Sequence, residues 1–158
     1  MKEMCMDFFV ILVFIIAPLS LFLHELAHGI VAYFFQSSYI YIQLGVGPSL
    51  LKQKHGVFRI SICLYIFLGA LVAYERDPEH TMYERAVISI AGPFINAFLV
   101  LLGFVMYYVV DHPYISLFIA FNIWITTVNL IPFKFANKKS DGYVIAEALW
   151  NRVFSSNK

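Results

Sequence analysis

Residues 8–35 run from Phe8 to Phe35 with Glu25 as the only Asp, Glu, Lys or Arg. About 20 apolar residues at ~1.5 Å rise each cross a ~30 Å hydrocarbon core, so the run predicts a first transmembrane helix, with Pro18 permitting a kink. An apolar run behind Lys2 also resembles a cleaved signal peptide, but this one is too long and no small-x-small site closes it. Two further uncharged runs, 86–110 and 114–133, predict the second and third spans, joined by the tight connection Asp111-His112-Pro113.

Residues 37–74 have a different texture. Tyr39 to Leu44 is rich in aromatic and β-branched residues, Gly45, Gly47 and Pro48 punctuate the chain, and Val57 to Ile62 alternates apolar with polar, which predicts short strands. The uncharged run 62–74 is short for a span and reads as a re-entrant or interfacial segment bent at Gly69. After Tyr143, the residues Val144, Ile145, Leu149 and Val153 share one face with Trp150 nearby, which predicts an amphipathic interfacial helix over 143–154. The fold class is therefore a mostly α membrane protein: one membrane-embedded domain over 1–158, with three transmembrane helices and a small membrane-associated β region between the first two.

Composition agrees with a bilayer as solvent. The chain is 61% hydrophobic and 13% charged, against about 25% charged in ordinary soluble domains, and its mean hydropathy is +0.76. A net charge of +1 leaves no concentrated basic footprint for nucleic acid. Cys5 and Cys63 have no metal-ligand spacing and read as small inert hydrophobes. Lys and Arg accumulate on the cytoplasmic side of membrane proteins. Lys52, Lys54, Arg59, Arg76 and Arg85 lie between spans one and two, and Lys134, Lys138, Lys139, Arg152 and Lys158 follow span three. Only Lys2 is left for the other side, so three spans with an external N-terminus and a cytoplasmic C-terminus satisfy the rule. A fourth span over 57–74 would turn Lys52, Lys54 and Arg59 outward and is rejected.

Near the cytoplasmic end of the first span lies His24-Glu25-Leu26-Ala27-His28. Two imidazoles at i and i+4 project from one helix face at a spacing suited to one zinc ion, and the glutamate between them is suited to be a general base. Ionisable groups inside a span are costly and usually functional. A catalytic zinc generally takes a third protein ligand and keeps one position open. Asp7 and Asp111 fall on the external side, which leaves Glu75, Asp77, Glu79, His80 and Asp141 as candidates; His55, His80 and His112 otherwise read as solvated loop residues.

The motif on span one, Gly92-Pro93-Phe94-Ile95-Asn96 on span two, and Asn129-Leu130-Ile131-Pro132 leading to Asp141-Gly142 together resemble the site-2 protease family of intramembrane zinc metalloproteases. The resemblance implies a three-helix catalytic core of the compact bacterial type, without PDZ or CBS domain, in a bacterial cell membrane. It implies one zinc ion held by His24, His28 and Asp141, with Glu25 as base and Asn129 positioning or polarising the substrate; Asn96 matches a family motif without an assigned role. The substrate would be a transmembrane protein or membrane-associated peptide, added as a further strand to an edge near 39–45 or 57–62. The connection from Phe133 to Ser140 is longer and more basic than the family's, and Tyr143 replaces a second glycine. The alternative is a non-proteolytic membrane protein that binds zinc or shelters a partner helix, a reading that leaves Glu25 without a role.

Overall fold

The computed structural model describes residues 2–135 and 138–155, with the backbone alone at residues 2–5, 153 and 155. The side chains of Lys2, Cys5 and Val153, and Lys158 altogether, lie outside the described residues. The chain starts as one long helix in three parts: α1 (Lys2–Ile11), a π-helical turn (Leu12–Ile16) and α2 (Ala17–Phe34). Pro18 occupies the first turn of α2. It lacks an N–H and crowds the carbonyl four residues back, and the wider turn just before it relieves both demands without breaking the helix. Helices α3 (Met82–Val109) and α4 (Pro113–Leu130) follow the β region, and α5 (Asp141–Ser155) closes the chain. Three helical stretches, Met6–Phe34, Met82–Val109 and Pro113–Leu130, are long and apolar enough to cross a membrane. Their exposed surfaces are rich in residues such as Phe9, Phe14, Phe94, Leu101, Tyr108 and Trp124, as lipid-facing helices require.

Between α2 and α3 the β region consists of two long strands, β1 (Tyr39–His55) and β2 (Phe58–Glu75), joined at Gly56 and folded back on themselves. Ile40 to Leu44 have Tyr74 to Ala70 on one side and Phe58 to Ile62 on the other, while Phe58 to Ile62 also pair with His55 to Leu51. Both stretches expected to offer an edge, 39–45 and 57–62, are therefore interior. Among the described residues, the free edges belong to 51–55 and 70–75. The expected re-entrant segment 62–74 is also corrected: it is the body of β2. A strand apolar on both faces reads as a continuous run that periodicity cannot tell from a helix. Here Cys63 is buried, while Leu64, Tyr65, Phe67 and Leu68 are left outward.

The sheet is fastened to the helices by a small core. Ala32, Ile40, Ile42 and Ile88 are almost fully buried, with Leu26, Phe58, Ile60 and Val72 packed around them. Gly29 permits this approach, since a Cβ there would lie 3.1 Å from Ile42 Cδ1 and 3.2 Å from Ile40 Cγ2. Arg76, just beyond β2, donates to both Glu84 carboxylate oxygens at 2.9 and 2.8 Å and to the Phe35 carbonyl at 2.8 Å. It thereby ties the ends of β2 and α2 to the first turn of α3, which Thr81 and Glu84 close as a capping box. The result holds the 70–74 edge beside the His-Glu-x-x-His turn of α2.

After α4 the connection to α5 contains two short paired strands, β3 (Lys134–Phe135) and β4 (Lys138–Lys139). The C-terminal helix, expected from residue 143, begins at Asp141. Ser140 is the reason. Its Oγ donates to the Ile131 carbonyl at 2.8 Å and accepts from the N–H groups of Phe133 at 3.0 Å and Tyr143 at 3.1 Å, so it caps α5 while gripping the end of α4. Gly142 permits a close approach, since a Cβ there would collide with the Leu130 backbone. Replacing Ser140 by alanine is expected to destabilise the fold by about 1–3 kcal/mol, because a cap is lost and a part-buried N–H is left unsatisfied. Thermal unfolding of the purified protein, read against Ser140→Thr, measures it.

Candidate metal centre

His24 and His28 stand one turn apart on the buried face of α2, 3% and 4% exposed, with their rings edge to face at 4.8 Å. Asp141 meets them from the first turn of α5. Its Oδ2 lies 3.2 Å from His24 Nε2 and 3.4 Å from His28 Nε2. The ligand atoms of all three residues fall within 4.8 Å of one another, and among the described residues no other group of His, Cys, Asp and Glu side chains converges in this way.

The other candidates for a third ligand lie elsewhere. Glu79 pairs with Arg85 at 2.6 Å, and Glu75, Glu79 and His80 line a separate cavity. His80, expected to be solvated, is buried: it bonds Ser37 Oγ at 3.0 Å and packs edge-on against Tyr74. Its depth follows from Tyr74 and the α2 terminus closing over it, which loop composition does not reveal.

The outer nitrogens of the two histidines decide what the inner ones can do. His28 Nδ1 lies 2.6 Å from the Ile88 carbonyl, which can only accept, so this nitrogen carries the proton. His24 Nδ1 lies 2.5 Å from Asn96 Oδ1. Neutral rings so arranged turn the lone pairs of both Nε2 atoms toward the Asp141 carboxylate. Three acceptors converge with no hydrogen between them, a donor set that calls for a cation; two imidazoles and a carboxylate suit zinc. Helix α3 makes room at Gly92, where a Cβ would overlap Nε2 of both histidines. Gly92→Ala is therefore expected to weaken zinc binding by roughly tenfold or more, the equivalent of about 1–3 kcal/mol of overpacking. Competitive zinc titration of the purified variant measures it.

The cluster opens into a cavity of about 390 Å³ lined by His24, Glu25, His28, Ala70 to Val72, Tyr74, Ile88, Ser89, Asn129, Lys138 and Asp141. Glu25 lines this space together with Val72 of the strand edge. Asn129, near the end of α4, spends one amide N–H on the Ile125 carbonyl at 3.0 Å and lines the same cavity. All five residues singled out in the sequence thus border one space. Sequence reasoning overlooked Gly92 as the clearance for both rings, Ser140 as the grip on α5, and the 70–74 edge. Of these only Ser140 left a signal, a serine directly before Asp-Gly and an apolar helical pattern.

Three apolar helices with a His-Glu-x-x-His turn buried among them, beside two strands, define a multi-pass membrane protein of metallopeptidase type. Residues 8–116 match the model of peptidase family M50, more than half of the chain, and the chain belongs to that family, which is the site-2 protease family. Members are zinc metalloproteases, and membership implies proteolysis within a lipid bilayer. The matched residues include His24, Glu25, His28, Gly92 and Asn96 and stop short of Asn129 and Asp141, whose part in the site rests on their position around the cavity. Comparison with curated proteins returned no match.

Proposed function

We propose that the protein is a zinc-dependent intramembrane endopeptidase that cleaves transmembrane or membrane-associated peptides near the cytoplasmic leaflet. The observation that carries this reading is the convergence of His24, His28 and Asp141 on one cavity that Glu25 and an unpaired strand edge also face. A zinc ion held by His24, His28 and Asp141 would supply Lewis acidity to a water molecule and to the scissile carbonyl. Glu25 takes a proton from that water and returns it to the departing amine. Asn129 offers its amide to the substrate backbone across the cavity.

A transmembrane helix has its carbonyls tied in i to i+4 bonds, so the substrate must unwind before it can be cut. The edge at 70–74 gives the unwound segment somewhere to go. A strand added there exchanges helical hydrogen bonds for inter-strand ones and draws the substrate backbone past Glu25. The charge distribution supports an external N-terminus, a cytoplasmic C-terminus and water entry from the cytoplasmic side; the family resemblance adds a bacterial cell membrane as the setting, with residues 1–158 acting as one catalytic domain. His28 lies six residues before Phe34, the end of its span, or about 9 Å of helix, so the water route is short.

The test is reconstitution into vesicles with a panel of single-span peptides, followed by mass spectrometry of the products. The proposal expects cuts inside or at the border of the apolar segment, abolished by a zinc chelator. Zinc binding without any cleavage across the panel and in cells would favour a metal-binding role instead.

A further inference from the structure

The outer nitrogen of His28 meets a backbone carbonyl, whose polarity is fixed. That of His24 meets an amide, whose two ends are nearly the same size and opposite in hydrogen-bonding sense. Turned one way, Asn96 accepts a proton from His24 Nδ1 and leaves the Nε2 lone pair free for a metal. Turned the other way, it donates to Nδ1, and the proton must sit on Nε2, where it blocks ligation. Something has to hold Asn96 the right way round.

Asn122, on α4, is placed to do so. Asn96 and Asn122 are both 0% exposed, in spans where an unsatisfied amide finds no water. Asn122 Nδ2 donates to the Phe118 carbonyl at 2.9 Å and to Ser20 Oγ at 3.1 Å. Because the Phe118 carbonyl can only accept, the Asn122 nitrogen must point there, and its oxygen points the other way. That oxygen lies 2.8 Å from Asn96 Nδ2. Asn96 therefore presents its nitrogen to Asn122 and its oxygen to His24. The polarity of one backbone carbonyl on the third span is passed through two amides to a ring on the first.

Resting on the zinc-binding reading above, we propose that Asn122 is a positioning residue that, through Asn96, holds His24 in the tautomer that ligates metal. This gives the third span a part in the centre beyond Asn129. It also accounts for two amides and a serine, Ser20, gathered in the middle of three membrane helices, where polar groups are otherwise avoided.

The experiment compares the full chain with Asn122→Leu and with the double variant Asn122→Leu/Asn96→Asp. Two readings are taken on each: the His24 tautomer from ¹⁵N chemical shifts of metal-free, histidine-labelled protein, and the zinc dissociation constant by competitive titration. Without Asn122 the Asn96 amide is free to turn, so Asn122→Leu is expected to show a mixture of tautomers and to bind zinc roughly 10–100-fold more weakly. A carboxylate at position 96 can only accept, so the double variant is expected to regain the Nδ1–H tautomer and most of the affinity. Loss of packing alone could not be repaired in that way. The proposal is overturned if Asn122→Leu keeps both the wild-type tautomer and affinity, or if the double variant is no better than the single one. A wild-type chain that binds no zinc would overturn the zinc reading itself, and with it this one.

Discussion

Replacing Glu25 by glutamine is expected to slow peptide cleavage about 10²–10⁴-fold, the usual worth of a general base, while zinc content stays at the wild-type level. The change keeps size but replaces a carboxylate that can take a proton from water with an amide that is not basic enough to do so. Metal retention is expected because Glu25 lies between the two histidines in sequence and outside the converging group of His24, His28 and Asp141. Zinc analysis and cleavage assays on one preparation of each protein separate the two effects. If both proteins cut a substrate equally, Glu25 is not the base. The silent variant should also retain uncut substrate, and peptides that co-purify with it identify the substrates.

Asp141→Ala carries the second large effect. It removes an anionic ligand from beside two neutral imidazoles, so zinc affinity is expected to fall by more than the roughly 10–100-fold that loss of an outer hydrogen-bonding group costs. Competitive titration measures it. The fold should survive, since Ser140 and not Asp141 caps α5 and holds the end of α4. Full zinc occupancy in Asp141→Ala would move the third ligand elsewhere. Among the other candidates, His80 is engaged with Ser37 and Glu79 with Arg85, so each would have to leave a present contact to serve.

The three spans and the His-Glu-x-x-His turn were legible because each rests on a local signal. A run of uncharged residues has only one good solvent, and i, i+4 spacing on a helix fixes a common face whatever surrounds it. The β region was only half legible. Tyr39 to Leu44 and Val57 to Ile62 carry the residues of strands, but strand order depends on pairings between distant segments, and those put 39–44 in the interior and 70–75 at the edge. Residues 62–74 were misread because a strand coated on both faces carries no alternation.

The approach of Asp141 to the histidines was beyond local pattern altogether. It depends on Ser140 drawing the start of α5 under the end of α4, and on Gly142 fitting against Leu130. The long connection before Asp141 turns out to contain the paired segments 134–135 and 138–139, with Lys138 at the cavity. The two buried amides behind His24 likewise come from different helices. Each alone reads as one polar residue in a span, and only their contact shows a direction.

One zinc ion, bound where His24, His28 and Asp141 converge, is expected to turn this chain into a peptidase. Titrating zinc into metal-free protein in vesicles, with a peptide captured by the Glu25→Gln variant as substrate, tests it most directly. Cleavage is expected to be absent at the start, to rise in proportion to bound zinc and to level off at one ion per chain. Full cleavage before any zinc is added, or one bound zinc per chain with no cleavage, would contradict it.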